Sequence, residues 1–277
     1  MRFGRCAAIL LVVAAATTAC QSVSTLRYAG EQPMYVFMPE RAPATGAPIL
    51  IFNHGRPFRD PPDGPFSPTS SDGSGEWALA NELVQAGIAV ALPVRTGYFS
   101  TGGPDGERVP CNDPRRDDFE RARKAAAADI RAAVEAVKSL PSIDRTRIFV
   151  GGVSAGGFAS IVSIPALGDD VRGVLSVNGG RCGNRGPSIG GLVHQRELYK
   201  DIGAQSRVAV VFFSGTSDTV VPPHSSEQLY EGFCAGRGAA CKESVHFVTA
   251  QGGQHGVRSM MRAAGQRMIR FLRDGVP

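Results

Sequence analysis

The apolar residues of this chain fall into short uninterrupted runs, and these runs constrain the fold more than any other feature. Strands buried on both faces have such runs, whereas half-exposed strands alternate polar and apolar residues. We predict strands at Pro33–Pro39, Pro48–His54, Ile88–Val94, Arg147–Val153, Val171–Val177, Val208–Ser214 and Ser244–Thr249. Helical spacing predicts helices at Glu76–Gln85, Arg115–Leu140, Ala155–Ile164, Ser225–Phe233 and Val257–Leu272. Strands that alternate with helices predict an α/β fold, with a mostly parallel central sheet and helices on both faces.

One domain accounts for most of the chain. A length of 277 residues suits a single large α/β domain, and no internal repeat or low-complexity linker divides it. We expect a signal peptide at 1–19, an N-terminal tether at 20–32 and the domain at 33–277.

The first twenty residues are typical of a secretory signal. A basic start with Arg2 and Arg5 precedes an apolar stretch at 7–16 and the sequence Thr17-Thr18-Ala19-Cys20. This ending resembles a bacterial lipobox, in which small residues precede an acylated cysteine, although Thr17 stands where Leu or Val is usual. We therefore expect an exported protein of the bacterial cell envelope, attached to the membrane by a lipid on Cys20. The alternative is an ordinary signal peptide cleaved nearby.

Charge and residue spacing exclude several classes of function. The formal net charge is only +5, and no dense basic run with interleaved aromatic residues occurs, so nucleic acid is not an expected partner. No cysteine or histidine spacing is typical of a zinc site. We expect neither a metal nor a cofactor, and the sequence leaves the oligomeric state open.

Four cysteines lie beyond the leader: Cys111, Cys182, Cys234 and Cys241. An even number in an exported protein predicts two disulfides, for which three pairings are possible. Cys234 and Cys241 bracket a Gly- and Ala-rich loop that a local bridge would hold, and Cys111 would then pair with Cys182. Free buried thiols are the alternative.

The pattern Gly-x-Ser-x-Gly occurs twice, around Ser154 and around Ser188. Ser154 follows an apolar strand, precedes a helix start and has glycine or alanine neighbours, which is the context of a nucleophile elbow. Ser188 follows a loop and comes directly after Pro187. We predict that Ser154 is the nucleophile and Ser188 a loop serine, the alternative being that Ser154 only shapes a tight turn.

Two further reactive residues follow predicted strands. Asp218 follows the strand at 208–214, and His255 follows the strand at 244–249. Ligands of an open parallel sheet gather beyond the carboxyl ends of its strands, so the three side chains are expected to meet there. His255 would act as the base for Ser154, and Asp218 would orient His255. We expect structural or surface roles for His194, His224, His246, Asp169 and Asp170.

An oxyanion needs hydrogen-bond donors that are already in place. The residue after the nucleophile, Ala155, offers one backbone N–H. The second is expected from the loop after His54-Gly55, and Arg56 is chosen because Pro57 has no N–H. We expect His54 to brace this loop rather than to transfer protons.

Together these motifs resemble the α/β-hydrolase superfamily, particularly its dienelactone-hydrolase-like and small secreted esterase branches. The matching segments are Asn53–Gly55, Arg95–Gly103, Gly152–Gly156, Gly215–Pro222 and Gly253–Gly256. The resemblance implies the α/β-hydrolase fold and a catalytic triad of Ser154, Asp218 and His255. In dienelactone hydrolases proper the resemblance would imply a cysteine as nucleophile, whereas this elbow contains a serine. The difference favours a general carboxylesterase.

The resulting hypothesis is an exported serine hydrolase that acts on a small-molecule ester. A peptidase or acyltransferase with the same triad, and a non-catalytic envelope lipoprotein, are the alternatives. A pocket could be lined by the aromatic residues Phe58, Phe66, Tyr98, Phe99 and Phe158. Arg56, Arg95 and Arg181 could meet an acidic substrate or form exposed salt bridges.

Overall fold

The computed structural model describes residues 22–30, 32–56, 75–99, 101–184 and 186–276. Its described residues include eight strands in one sheet. They are β1 (Ser22–Tyr28), β2 (Gln32–Met38), β3 (Ala47–Asn53), β4 (Ala89–Pro93), β5 (Ile143–Val153), β6 (Gly173–Val177), β7 (Ala209–Gly215) and β8 (Val245–Ala250). The strand order across the sheet is β1-β2-β4-β3-β5-β6-β7-β8. From β4 to β8 all neighbours are parallel, whereas β1 pairs antiparallel with β2 and β2 with β4.

The helices form a layer on each face of the sheet. They are α1 (Gly75–Gln85), α2 (Arg116–Lys138), α3 (Ala155–Val162), α4 (Ile164–Leu167), α5 (Leu192–Gln205), α6 (Pro223–Arg237), α7 (Cys241–Ser244) and α8 (Val257–Asp274). Helices α1 and α8 pack together on one face, and α2, α3, α5 and α6 cover the other.

Alternate residues of the central strands enter the two cores. On β3, Ile49 and Ile51 belong to the core under α2 and α3, whereas Leu50 and Phe52 belong to the core under α1 and α8. Successive side chains of a strand point to opposite faces, so a strand covered on both sides must be apolar throughout. The prediction of a mostly parallel sheet with helices on both faces is therefore confirmed.

Three segments differ from the expectations. The expected tether at 20–32 contains β1, whose Tyr28 is buried and donates a hydrogen bond to the Val94 carbonyl over 3.0 Å. The segment between the strands predicted at 171–177 and 208–214, to which no helix was assigned, contains helix α5. The helix expected at Ala155–Ile164 ends at Val162, and a separate short turn of helix begins next to Pro165. Proline lacks an N–H for the preceding turn, so a continuous helix is disfavoured there.

No helix within the described ranges has both the length and the apolar character needed to cross a bilayer. In the same ranges, no group of three or more His, Cys, Asp or Glu side chains is arranged to hold a metal ion. Cys20 and the rest of the predicted leader lie outside the described residues.

Candidate active site

Ser154 lies on a strained turn between β5 and α3. Its φ of 55° and ψ of −121° are unusual for a residue with a side chain. The turn brings backbones close together: a Cβ on Gly152 would lie 2.6 Å from the Asn53 carbonyl oxygen, and one on Gly156 would lie 2.5 Å from that of His54. Only glycine fits at either position, which explains why the residues two before and two after the serine are glycines.

Backbone hydrogen bonds hold this turn from three directions. The Ser154 N–H donates to Val177 over 3.0 Å, and its carbonyl accepts from Phe158 over 3.0 Å and from Gly180 over 3.1 Å. A strained residue persists only where its surroundings determine its conformation. The end of β6 and the first turn of α3 do so here.

Asp218 and His255 form a hydrogen-bonded pair at the same edge of the sheet. His255 Nδ1 lies 2.8 Å from Asp218 Oδ2, and the side chain of Asp218 has no solvent exposure. The other carboxylate oxygen accepts N–H groups from Val220 over 2.8 Å and Val221 over 2.9 Å. One oxygen therefore fixes the loop, and the other orients the imidazole, leaving Nε2 as the nitrogen available for proton transfer.

The described residues include no hydrogen bond between the Ser154 hydroxyl and His255. Catalytic hydrogen bonds of this kind are often long in ligand-free structures and shorten when substrate binds.

Asn178 connects the loop that carries Asp218 to the loop that carries His255. This role was not predicted from the sequence. Its side-chain amide donates to the Gln254 carbonyl over 3.1 Å, and its side-chain oxygen accepts the Gly215 N–H over 2.9 Å. The residue is fully buried and has a φ of 46°. The available signal was a polar residue directly after the apolar strand β6.

Ala155 and the segment 54–56, from which the oxyanion donors were expected, both lie next to Ser154 or its turn. Ala155 is the first residue of α3, and the first N–H groups of a helix have no acceptor within it. The second donor was expected from the segment 54–56, which passes close by: a Cβ on Gly55 would lie 3.4 Å from the Ser154 Cβ. The Arg56 side chain forms an ion pair with Asp105 at 2.6 Å.

His54 braces this segment with both ring nitrogens. Nδ1 lies 2.8 Å from the Gly55 carbonyl oxygen, and Nε2 accepts the Arg95 N–H over 3.3 Å. Complete burial, together with the nearby Arg95 guanidinium, lowers the pKa of His54 to about 3. The ring is therefore neutral at physiological pH, and neither nitrogen is left to act as a base.

A buried cluster of charges lies behind the same segment. The Glu107 carboxylate contacts Arg95 Nε at 2.6 Å, Arg181 Nη2 and the Tyr98 hydroxyl at 3.0 Å. Arg95 also donates to the His54 carbonyl over 3.0 Å. Burial opposes ionisation of Glu107, but the Arg95 and Arg181 guanidiniums outweigh it and lower the pKa of Glu107 to about 2.

This cluster corrects an expectation. Arg95 and Arg181 neither face a substrate nor form exposed salt bridges, because both are buried around one carboxylate. Sequence reasoning missed Glu107, which lies in a polar loop and carries no motif.

The other candidate residues lie on elements or loops other than the turn of Ser154. His246 is half-buried on β8, His224 begins α6 next to Gln228, and His194 is on α5 near Glu197. Asp170 pairs with Lys138 and Arg131 at the surface. Ser188 lies in a loop without helix or strand.

Aromatic residues expected to line a pocket have different environments. Phe158 and Tyr98 are buried, and Phe99 is half-buried with its ring 5.2 Å from that of His54. Phe58 and Phe66 lie outside the described residues. An open cleft next to the candidate oxyanion segment is lined by Arg56, Asp105, Arg108, Val109, Pro110, Cys111, Asn112 and Arg121.

The structure contains two disulfides, Cys111–Cys182 and Cys234–Cys241. The first joins the loop after Glu107 to the loop that carries Arg181, so it links the two chain segments that also meet in the buried charge cluster. The second closes a short turn between α6 and α7.

Comparison with protein-family models and with curated proteins finds no match for this chain. Solved structures do match. A Klebsiella pneumoniae protein assigned as a dienelactone hydrolase has a TM-score of 0.60 at 17% identity, with 92% of this chain and 98% of that chain covered. The chain has the α/β-hydrolase fold.

Two peptidases share this α/β-hydrolase fold over part of their length. A puromycin-hydrolysing peptidase of Mycobacterium tuberculosis has a TM-score of 0.63 at 21% identity, with 91% of this chain covered. An acylaminoacyl peptidase of Pyrococcus horikoshii has a TM-score of 0.61 at 16% identity, with 92% covered. The chain spans only 39% and 42% of these two proteins. At such low sequence identities these similarities establish the fold of the chain but not the reaction that it catalyses.

Proposed function

We propose that this chain is a serine hydrolase that cleaves carboxylic esters through an acyl-enzyme. The observation that carries the proposal is the grouping of Ser154, Asp218 and His255 at the carboxyl edge of the sheet. The serine is on a strained turn with φ of 55°, and the imidazole is oriented by a carboxylate 2.8 Å away. A binding module has no need for such a pair beside an elbow.

In the first half-reaction, His255 Nε2 takes the proton from the Ser154 hydroxyl as its oxygen attacks the ester carbonyl carbon. The carbonyl oxygen becomes an oxyanion, which accepts hydrogen bonds from the N–H groups of Ala155 and Arg56. The intermediate then expels the alcohol, whose oxygen takes the proton from His255. The acyl group remains on Ser154.

In the second half-reaction, water replaces the alcohol. His255 removes a proton from the water as it attacks the acyl carbon, and the collapse of the second intermediate releases the carboxylic acid. Ser154 recovers its proton from His255. Asp218 holds the imidazole in the required orientation and stabilises its charged form in both halves.

Ester cleavage is the finer part of this proposal, and two observations bear on it. The dienelactone hydrolase-like structure matches along almost its whole length, which supports a small ester. The two peptidases share the same fold, so peptide cleavage is the second candidate and is assayed in parallel.

A fluorophosphonate probe tests the nucleophile, because it reacts covalently with activated serines. We expect labelling of the wild-type chain and of Ser188→Ala, and none of Ser154→Ala. Ser188 is the matched control because it is centred in the same sequence pattern. Labelling that survives in Ser154→Ala contradicts the assignment.

The substrate class is tested with p-nitrophenyl esters of increasing acyl length beside aminoacyl p-nitroanilides. A higher kcat/KM for the esters supports the proposed esterase. A higher kcat/KM for the anilides contradicts it and supports a peptidase.

We further propose that the protein is exported and carries a lipid on Cys20. Two disulfides support export, because they persist in oxidising compartments. Metabolic labelling with an alkyne palmitate analogue is expected to mark the wild-type chain and not Cys20→Ala. Equal labelling of both excludes this anchor.

A further inference from the structure

Helix α8 presents a strip of cations to solvent along its whole length. We call Arg258, Arg262, Arg267, Arg270 and Arg273 the arginine face. All five are exposed. At 3.6 residues per turn they lie within about half of the helix circumference and span roughly 23 Å of its axis. The other half is apolar and packs into the core with Met260, Met268 and Phe271.

Among the described residues, five of the six cations of α2, on the opposite face of the sheet, form ion pairs, the exception being Lys124, whereas those of the arginine face do not. Arg116 pairs with Asp201 at 2.5 Å, Arg123 with Glu120 at 2.7 Å, and Arg131 with Asp170 at 2.6 Å. Within the described ranges no ion pair involves the arginine face. The only acidic residue of α8 is Asp274, at its last position. This contrast argues that the charge of α8 meets an anionic partner.

The end of α8 lies at the end of the sheet where β1 begins. The Arg273 carbonyl accepts from Arg147 on β5 over 3.0 Å, and Arg273 donates to Ala86, before β4, over 2.7 Å. Both contacts are at the amino ends of parallel strands. Strand β1 runs in the direction of β4, because both are antiparallel to β2, so β1 begins at this same end of the sheet.

We propose that the arginine face docks on the anionic headgroups of a phospholipid bilayer. Each Lys or Arg near an anionic membrane surface strengthens binding by about fivefold, and this attraction weakens within a Debye length. The face has the charge and length for several headgroups, and its apolar side is already buried, so the contact is electrostatic rather than inserted.

The test measures partition of the full-length chain between buffer and vesicles. One vesicle set is phosphatidylcholine alone, and the other contains 30 mol% phosphatidylglycerol. The readout is the ratio of the two partition coefficients, because every variant carries the same N-terminal segment. We expect a ratio of about ten or more at low salt and a strong decrease of the ratio at 0.5 M NaCl.

Two triple variants that remove equal charge separate placement from net charge. Arg267→Gln/Arg270→Gln/Arg273→Gln is expected to lower the ratio at least tenfold. The matched control, Arg116→Gln/Arg123→Gln/Arg131→Gln on α2, is expected to lower it less than threefold. The corresponding Arg→Lys triple variant on α8 keeps the charge and is expected to bind as the wild type. It therefore tests whether loss of binding in the glutamine variant comes from the loss of charge or from a folding defect.

Three outcomes overturn the proposal. They are no preference for phosphatidylglycerol in the wild type, equal losses in the two glutamine variants, and loss of binding in the lysine variant with its fold intact by circular dichroism. A loss of affinity for a DNA duplex in the α8 glutamine variant, with unchanged vesicle binding, assigns the face to nucleic acid instead.

Discussion

Ser154 and Ser188 are centred in the same five-residue pattern, but the chain around them folds differently. Ser154 has a φ of 55° and connects a buried strand to a helix, whereas Ser188 lies in a loop and its φ is not positive. The backbone around Ser154 is held by hydrogen bonds to β6 and α3. The Gly-x-Ser-x-Gly pattern alone therefore only allows a strained turn at its serine. The turn forms where a strand precedes the pattern and a helix follows it.

The flanking glycines show the same contrast. Gly156 is required because a side chain there would meet the backbone of residues 53 and 54, whereas at Gly186 no described atom beyond the chain neighbours lies within 4 Å of an added Cβ. Gly186 instead has a φ of 109°. Glycine therefore serves close packing at the elbow and backbone freedom in the Ser188 loop, and only the first use is typical of a nucleophile.

The largest expected effect comes from removing the partners of Ser154. His255→Ala and Asp218→Asn are expected to lower kcat/KM for p-nitrophenyl acetate by about 10⁴, the order seen when a serine hydrolase loses its base or its orienting carboxylate. His224→Ala and Asp169→Asn are matched controls at the surface and are expected to change activity less than twofold.

Steady-state kinetics with intact secondary structure check this result. Activity above a tenth of wild type in His255→Ala would mean that a residue other than His255 is the base. His54 is not a candidate for that role, because both of its ring nitrogens are in hydrogen bonds.

The next effect concerns the glycines of the two patterns. Gly156→Ala is expected to lower the free energy of unfolding by about 3 kcal/mol or more, because the new Cβ meets backbone atoms that cannot move freely. Gly190→Ala places its Cβ 3.0 Å from the Cys182 Cβ and 3.4 Å from the nearest backbone atom, a milder overlap than at Gly156, so a loss below about 1 kcal/mol is expected. Urea unfolding followed by circular dichroism measures both. Equal losses would show that the elbow is no more tightly packed than the loop.

Most of the sheet could be predicted from the sequence because its strands are apolar on both faces. Strand β1 could not, since six of its seven residues, Ser-Val-Ser-Thr-Leu-Arg, form no apolar run and it lies at the edge of the sheet. Helix α5 was missed because its buried apolar residues are few, namely Leu198, Tyr199 and Ile202.

The site divides in the same way. Ser154, Asp218 and His255 were predicted because each follows a strand of a parallel sheet, where reactive groups gather. Glu107 was not, because its importance comes from Arg181, which is 74 residues away in the chain. Asn178 joins two loops that only the folded sheet brings together. Long-range polar contacts of this kind leave no local pattern.

The next effect concerns Glu107, which joins the segment 54–56 beside Ser154 to the loop that leads to Ser188. Arg95 holds the segment beside Ser154, and Arg181 begins the loop that leads to Ser188; both bind this carboxylate. The pKa of Glu107 falls from 4.5 to about 2 on folding. A lowered pKa means that the stabilisation is complete above about pH 5 and is lost as the pH falls through 4.5 towards 2. The shift corresponds to about 3 kcal/mol at most.

Glu107→Gln removes this titration and leaves two buried arginines without their counter-charge. The variant is therefore expected to be less stable than wild type at pH 7, with a difference that narrows as the pH falls from 5 to 2.5. Urea midpoints at several pH values measure the difference, and Glu40→Gln, at an exposed position, is the control whose difference from wild type stays near zero. A difference between Glu107→Gln and wild type that stays constant with pH would mean that folding leaves the pKa of Glu107 unchanged. A difference that widens as the pH falls would mean that folding raises this pKa, and the two segments would then be joined by neutral hydrogen bonds and not by a buried charge.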